Sequence, residues 1–298
     1  MKRVRSEKSS TGQWKIYKKA MLITIGGNIL LALAKGSMAW ISGSSAVFSD
    51  AANSLSDTMY SLFLTMGLYL SQRPADETHP QGHSQFEPLV SLIIAGAMWF
   101  AGGVAIWQSV HRFLGGEIEM KLGWSTTVLL GAILVKIFMY KCLSQLGNKG
   151  NSPALRATAR DNLVDVMATS AAIIGVWGAR YLHSHFDAVA GFLVGLWIIN
   201  SAREITWENL GYLTGRGASR ELTEKIASVA LQVEGVKDVH RVIGEYIGPQ
   251  LRIDMHININ GDTKLHRAHE IGEEVKKKVG NMPQVDLVFV HIEPLEVH

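Results

Sequence analysis

The sequence predicts an α-helical membrane protein with six transmembrane helices, followed by a C-terminal α+β domain. Three observations support this prediction. Long apolar segments follow one another from residue 16 to residue 213, charged residues are concentrated in the last third, and the residues after 213 alternate between helical and strand-like patterns. The mean hydropathy of +0.13 is high for a soluble protein and low for a purely membrane-embedded one, so two parts of different character fit best.

Each apolar segment is long enough to cross a bilayer, because a membrane-spanning helix needs about 20 residues. The third segment is the most apolar, since no charged residue lies between Pro88 and Val110. The other segments carry charged residues within their length, and such residues are costly inside a bilayer. The predicted spans are residues 16–41, 44–71, 88–113, 122–146, 154–181 and 186–213.

Basic residues predict the orientation of the spans, because cytoplasmic loops carry an excess of lysine and arginine. The residues before the first span are basic, and so are the turn between spans four and five and the link after span six. We therefore expect both termini in the cytoplasm, residues 1–15 as a basic tail, and a multi-pass protein of the cell (plasma) membrane. No small-residue cleavage site follows the first apolar run, which favours a membrane span over a signal peptide.

Composition narrows the possible partners. The net charge of +3 comes partly from a tail beside a membrane span, so the lipid bilayer is a predicted partner and nucleic acid is not. The single cysteine, Cys142, excludes an intrachain disulfide. Lys35 and Lys136 lie inside predicted spans, where we expect them to reach for the interface or to pair with an acid rather than to act chemically.

The residues after 213 predict a small domain with helices on one face of a sheet. The segment from Leu251 to Ile259 alternates apolar and polar residues, as expected for a strand with one buried face. The predicted helices and strands cover residues 221–233, 236–243, 251–259, 265–279 and 285–291. We expect a transmembrane domain over residues 16–213 and a cytoplasmic regulatory and dimerisation domain over residues 214–298, because about 80 residues are only marginally stable alone.

Acidic and amide side chains lie inside the second and fifth predicted spans. Asn53 and Asp57 are four residues apart, as are Asp161 and Asp165, so each pair shares one helix face. Ionisable groups inside a bilayer usually face the bundle interior or a water-filled path. Four oxygen-bearing side chains on two helices suit a hard divalent cation, so the sequence predicts a metal transport site. Hydrogen bonding between helices is the alternative, but it does not require two such pairs on separate spans.

The donor atoms favour manganese over zinc. All four side chains offer oxygen and none offers nitrogen, whereas zinc is usually held by sulfur or nitrogen donors. Three carboxylates in a low-dielectric site repel one another, so we expect protons to neutralise part of the charge until the metal displaces them. Asp50 lies three residues before Asn53 on the same face, where it either lines the metal pathway or lies near the outer helix end.

Two further groups of residues have the side chains that metals bind. Asp76, His79 and His83 show ligand-type spacing in the polar loop between spans two and three, although such loops often carry these residues without a metal. The C-terminal domain contains several more, and His256 and His291 lie near the ends of predicted strands that could converge. Solvated surface histidines are the alternative. The C-terminal candidates are His240, His256, His266, His269, His291 and Glu293.

Together these segments resemble the cation diffusion facilitator (CDF) family. Residues 45–57 look like the signature of its second span, and the pair Asp161 and Asp165 looks like that of its fifth. The resemblance covers nearly the whole chain. It implies a ferredoxin-like (metallochaperone-like) cytoplasmic domain, a homodimer, and exchange of a cytosolic cation for external protons by alternating access. Zinc-transporting members usually place His or Asp at the position of Asn53 and His at that of Asp161, so this chain is similar to the manganese-exporting branch.

The resemblance also implies two accessory metal sites. The Asp76, His79 and His83 group matches an interfacial loop site of some zinc members. A regulatory site between cytoplasmic domains is implied for His240, His256, His269, His291 and Glu293. Zinc-exporting bacterial members link the loop to the end of span six by a Lys–Asp pair. Those positions are Gln85 and Gly215 here, so the contact that locks two protomers together is left open.

The sequence therefore predicts proton-coupled efflux of a divalent cation, with Mn²⁺ favoured and zinc, cadmium or ferrous iron as alternatives within the family. It predicts no enzyme and no catalytic cofactor, because it contains no His-Glu-x-x-His motif and no nucleophile with an evident base partner. A membrane-anchored metal sensor is the remaining alternative. The intramembrane carboxylates argue against it, because an anchor does not need them.

Overall fold

The structure is a computed structural model that describes residues 11–42, 57–58, 61–115, 125–181, 186–282 and 284–295. The chain divides into two compact units, Met1–Asn209 and Leu210–His298. The described residues of the first unit are mainly helical. Those of the second unit form a sheet and two helices beyond the end of the last long helix.

Six helices lie between residues 11 and 213 in the described part of the chain. They are α1 (Thr11–Ser42), α2 (Ser61–Ser71), α3 (Phe86–Gly115), α4 (Ser125–Lys149), α5 (Pro153–Tyr181) and α6 (Phe186–Leu213). The described residues of α1, α3 and α4 include stretches long and apolar enough to cross a membrane: Trp14–Ser37, Phe86–His111 and Leu130–Lys149. All six helices overlap the predicted segments, while six membrane crossings stay a prediction.

The helices of the first unit share an apolar core. α3 and α4 both pack against α5, and α1 packs against α4. The core includes Leu64, Ile94, Met139, Leu143 and Leu155, all buried. Many large apolar side chains point outwards instead, as Leu22, Phe100, Trp107 and Leu134 do. An apolar exterior around an apolar interior is expected of helices surrounded by lipid.

Glycine allows α3 and α6 to approach closely. A Cβ atom added to Gly102 would lie 2.8 Å from Cγ1 of Ile199, and one added to Gly195 would lie 2.7 Å from Cγ1 of Ile106. Both distances are shorter than carbon atoms tolerate. Small residues are the usual means of bringing two membrane helices together. A larger residue at Gly102 or Gly195 would push α3 and α6 apart.

The second unit has the predicted order of elements. It contains α7 (Arg220–Leu231), β1 (Val236–Ile247), β2 (Gln250–Ile259), α8 (Leu265–Gly280) and β3 (Val285–Pro294). The described residues form a three-stranded mixed sheet in the order β1-β2-β3, with β2 antiparallel to β1 and parallel to β3. A ferredoxin-like arrangement stays a prediction.

Strand β1 is longer than the sequence predicts, because it continues through Gly244 to Ile247. Glycine inside a strand often marks a close approach of another segment of backbone. Here the segment before α7 lies against the strand, and the Ala218 N–H donates to the Gly244 carbonyl at 2.8 Å. A Cβ atom on Gly244 would lie 2.9 Å from that of Ala218, so the glycine admits this neighbour rather than ending the strand.

Both helices of the second unit pack on the same face of the sheet. Leu251, Ile253, Met255 and Ile257 of β2 are buried in one core with residues of α7 and α8. Side chains alternate between the two faces of a strand, so the residues between them, His256 among them, lie on the opposite face. The predicted two-layer arrangement thus places the strand histidines on the face that carries no helix of this unit.

Candidate metal centre

Three aspartates of the first unit lie close to one another, as their positions in the sequence predict. Asp57 lies in a helical turn just before α2, while Asp161 and Asp165 lie one turn apart on α5. Oδ2 of Asp57 and Oδ2 of Asp165 both contact the same nitrogen, at 3.1 Å and 2.6 Å. Asp161 interacts electrostatically with both of the other aspartates. Asn53 and Asp50 lie outside the described residues.

The shared nitrogen is Nζ of Lys136, which reaches the aspartates from α4. Its side chain is only 10% exposed, whereas Asp57 and Asp165 are each about one-third exposed. The sequence predicted that this lysine pairs or reaches for the interface, and it pairs. Spacing alone did not place it among the aspartates, because the periodicity of α4 gives the face of a residue but not the partner on the neighbouring helix.

The helical turn that carries Asp57 is held by α1. Asn28 is buried, and its Nδ2 donates to Oγ of Ser61 at 2.6 Å and to the Asp57 carbonyl at 3.3 Å. The Ser61 hydroxyl donates to the same carbonyl at 2.7 Å. These hydrogen bonds tie the turn that carries Asp57 to α1, so Asn28 helps to fix the position of that turn. Asn28 was not among the residues predicted for the site, although an asparagine inside an apolar helix is a usable signal.

A buried carboxylate was also missed at the start of α3. Glu87 is almost fully buried and accepts hydrogen bonds from the Tyr17 hydroxyl, at 2.8 Å, and from the Ser152 hydroxyl. These bonds join α1, α3 and the residue just before α5. Glu87 immediately precedes the apolar run from Pro88, and a sequence reading therefore places it in the loop. Its role in this structure is to hold three helices together.

Asp76, His79 and His83 come together in the loop between α2 and α3. Their candidate ligand atoms lie within 4.8 Å of one another. Oδ1 of Asp76 accepts from the Thr78 hydroxyl at 2.6 Å and from the backbone N–H groups of His79 and Thr78 at 2.7 and 2.9 Å. These hydrogen bonds, that of the Thr78 hydroxyl most of all, lower the pKa of Asp76 to about 2. The carboxylate is therefore charged at all physiological pH values.

His83 is oriented as a metal-binding histidine usually is. Its Nδ1 lies 3.1 Å from the Pro74 carbonyl, which can only accept, so Nδ1 carries the hydrogen. Its Nε2 then faces Oδ2 of Asp76 at 3.4 Å. Histidine ligands commonly donate their other ring N–H to a backbone carbonyl. His83 is buried while Asp76 and His79 are exposed, so the group is open to solvent on one side.

A second histidine group surrounds Glu293 on the helix-free face of the second unit. His256 Nδ1 lies 2.8 Å from Oε1 of Glu293, and His240 Nε2 lies 3.3 Å from Oε2. His291 pairs with His256 in the register of β2 and β3, and its Nε2 lies 3.5 Å from Oε1 of Glu293. The hydrogen bond with His256 is the main cause that lowers the pKa of Glu293.

His269 and His266 lie apart from this group. Both are exposed on α8, and α8 packs through Ile271 and Val275 on the face of the sheet opposite to His256. Of the residues that the resemblance implied for a regulatory site, the structure therefore brings together His240, His256, His291 and Glu293. His269 does not join them within one chain, because helix and strand residues separated by a sheet cannot meet.

Apolar helices around a cluster of carboxylates, joined to a small α/β unit with a histidine–glutamate group, are typical of membrane proteins that carry metal cations. The chain belongs to the cation efflux family. Residues 21–214 match the cation efflux transmembrane domain, and residues 218–295 match the cation efflux protein, cytoplasmic domain. This confirms the resemblance to cation diffusion facilitators. Members of the family are transporters of metal cations rather than enzymes.

Individual relatives cover almost the full length of the chain. It is 31% identical over 276 residues to an uncharacterized transporter of Methanocaldococcus jannaschii, covering 93% of this chain and 98% of that protein. It is 27% identical over 278 residues to the manganese efflux system protein MneS of Bacillus subtilis, covering 92% and 94%. A solved structure of the MamM CTD in a nickel form is 26% identical, covers 26% of this chain and 100% of that chain, and has a TM-score of 0.26.

Proposed function

We propose that this protein exports Mn²⁺ from the cytosol in exchange for protons, by alternating access in a homodimer. The observation that carries the proposal is the convergence of Asp57, Asp161 and Asp165, on two helical segments, inside the apolar helical unit. Charged residues in such a place are costly and mark the path of an ion. With Asn53 they are the proposed oxygen ligands, and Asp50 is proposed to line the metal pathway.

The proposed metal follows from the donor atoms. Carboxylate and amide oxygens suit Mn²⁺, while zinc sites usually include nitrogen or sulfur. The similarity to a manganese efflux system protein supports the same choice. Zinc and cadmium are alternatives that suit nitrogen or sulfur donors better than an all-oxygen site, and ferrous iron is a further alternative.

The proposed proton exchange follows from the charge of the site. Three carboxylates at low dielectric repel one another, so protons replace part of the metal charge after the cation leaves. Six membrane spans with both termini in the cytoplasm of a plasma-membrane protein complete the proposed topology, with residues 16–213 as the transmembrane domain. Residues 214–298 form the proposed cytoplasmic domain, ferredoxin-like in fold, through which two copies pair. The match to a cation efflux cytoplasmic domain supports this part.

The accessory histidine groups are proposed to bind regulatory metal. The loop group combines one carboxylate with two imidazoles, and the group around Glu293 combines one carboxylate with at least two. Such mixed donors suit zinc or a similar borderline cation better than manganese.

The test is metal uptake into proteoliposomes that contain the purified protein and carry an imposed pH gradient. Mn²⁺, Zn²⁺ and Fe²⁺ are compared, and Asp57→Ala and Asp161→Ala serve as site variants. The proposal expects manganese flux that requires the gradient and is lost in both variants. Flux that prefers zinc would show that Mn²⁺ is not the main transported metal. Flux independent of the pH gradient would refute proton exchange.

A further inference from the structure

Lys136 places a positive charge between the two helical segments that carry the aspartates. Its Nζ forms ion pairs of 3.1 Å with Asp57 and 2.6 Å with Asp165, and its side chain is 10% exposed. We propose that Lys136 is a tethered cation that competes with the transported metal for these two carboxylates. By competing, it lowers the affinity of the membrane site and lets the metal leave. This inference rests on the proposed function of the site.

A metal bound to the same two carboxylate oxygens would lie close to the ammonium group. A divalent cation bound to a carboxylate oxygen lies about 2.1 Å from it. Each of the two oxygens is itself 2.6 or 3.1 Å from Nζ. A metal that uses both oxygens would therefore lie within about 5 Å of Nζ, at whichever side of the carboxylates it binds. At that separation in a low-dielectric site, a divalent cation and an ammonium group repel each other strongly.

The charges around Lys136 explain why a positive charge is favourable at this place. The groups that face it are Asp57, Asp161 and Asp165, and Lys35 of α1 also acts electrostatically on Asp165. Without a positive partner, three carboxylates among apolar helices would be left uncompensated, which is strongly unfavourable. Lys136 compensates two of them from a position that a metal must take over.

The chemistry of lysine suits such an exchange. Its ammonium group is compact and lies at the end of a flexible four-carbon stem, so it can move away from the carboxylates and return. A transport site must bind its ion firmly enough to select it and loosely enough to release it. A tethered competitor meets both requirements, because its return offsets the cost of removing the metal from the carboxylates.

The direct test measures Mn²⁺ affinity and transport in the full-length protein. All samples carry Asp76→Ala and His256→Ala, so that calorimetric titration reports the membrane site. Lys136→Met is expected to raise the affinity for Mn²⁺ about tenfold and to slow the maximal rate of uptake into proteoliposomes. Lys136→Arg keeps the charge and is expected to keep the lower affinity. Lys141→Met, an exposed lysine of the same helix, is the matched control and should change neither quantity.

A folded Lys136→Met protein that binds Mn²⁺ no more tightly than the parent would overturn the inference and leave Lys136 as a structural ion pair. A second measurement on the unsubstituted protein covers the case in which that variant does not fold. Saturating Mn²⁺ is expected to increase acetylation of Lys136 by a small amine-reactive reagent, read by mass spectrometry, while Lys141 stays unchanged. Unchanged labelling of Lys136 overturns the inference.

The outcome for the lysine is separable from that for the proposed function. If the parent protein transports Mn²⁺ and the lysine variants show unchanged affinity, only the competing role of Lys136 is rejected. If the parent neither binds Mn²⁺ at the membrane site nor transports any cation, the proposed function fails and the inference fails with it.

Discussion

Two of the three candidate metal groups differ in both their donors and their counter-charges. In the helical unit, three carboxylates and a lysine meet, and no imidazole is present among the described residues of that group. In the second unit, one carboxylate is surrounded by the imidazoles of His240, His256 and His291 on neighbouring strands. The first group suits a hard cation and the second suits a borderline one.

The surroundings of the two groups also differ. The membrane group lies between apolar helices, where each charge needs a partner, and Lys136 supplies one. The histidine group lies on the helix-free face of a sheet and is partly exposed, so water can stabilise its charges. A site of the first kind gains from exchange between cations, while a site of the second kind can hold or lose a metal without moving charge across a membrane. The comparison fits the proposed division between a transport site and a regulatory site.

The largest expected effect tests that separation directly. Asp165→Asn keeps the shape of the side chain but removes the charge that pairs with Lys136. We expect Mn²⁺ flux into proteoliposomes to fall at least about a hundredfold, because a ligand is lost and a buried ammonium loses its partner. His256→Gln, which changes the other group, is expected to leave flux within about threefold of the parent. Equal losses in the two variants would show that the groups are not functionally separate.

A smaller effect is expected from giving the membrane site a nitrogen donor. Asn53→His should raise the ratio of zinc to manganese transport by about tenfold, because imidazole is a preferred zinc ligand. Competition between the two metals in the same vesicles measures the ratio. Asn148→His, at an exposed position near the end of α4, is the control. An unchanged ratio in the Asn53 variant means that this position does not set the preference.

The third prediction concerns the histidine group alone. His256→Ala should remove about one bound zinc per chain, since this residue bonds the shared carboxylate. His269→Ala should leave zinc content unchanged, because that residue lies on the other face of the sheet. The zinc content per chain is measured after equilibration with zinc. The aspartates of the membrane site are left intact in all samples. Loss of zinc in the His269 variant instead would place the regulatory ligands on α8.

The sequence predicted much of this arrangement, because charges inside apolar segments have few interpretations. Asp57, Asp161 and Asp165 could be assigned to one group from their spacing and from the free-energy cost of an ionisable group inside a bilayer. His256 and His291 were predicted to lie near the ends of strands that could converge, and the register of β2 and β3 pairs them. The order of helices and strands in the second unit followed from hydrophobic periodicity.

Other contacts depend on tertiary packing that spacing does not encode. The periodicity of α4 shows which face Lys136 occupies, but only the packing of α4 on α5 brings it to Asp165. Glu87 lies just outside the predicted third span, 88–113, because the apolar run begins one residue later. β1 was predicted to end at Ile243, whereas it continues to Ile247 because Gly244 admits the backbone at Ala218. In each case the decisive contact joins residues far apart in the chain.

The smallest expected effect is the pH dependence of the histidine group. The hydrogen bond with His256 lowers the pKa of Glu293 in the folded domain. A carboxylate with a depressed pKa contributes stability above the pKa of the unfolded chain, about 4.3, and that contribution is lost as the pH falls through the folded pKa. Glu293→Gln should therefore lower the Tm of residues 210–298 slightly at pH 7 in the presence of a chelator.

The difference in Tm between the parent domain and this variant should shrink as the pH is lowered below about 4. Protonation of Glu293 then removes the same negative charge that the substitution removes. Thermal unfolding at pH 7, 5 and 3 measures it. Glu234→Gln, at an exposed position before β1, should leave Tm unchanged at each pH. A difference that stays constant down to pH 3 would mean that Glu293 stabilises the domain through packing rather than through its charge. The charge of Glu293 would then contribute less to the histidine group than its hydrogen bond with His256 implies.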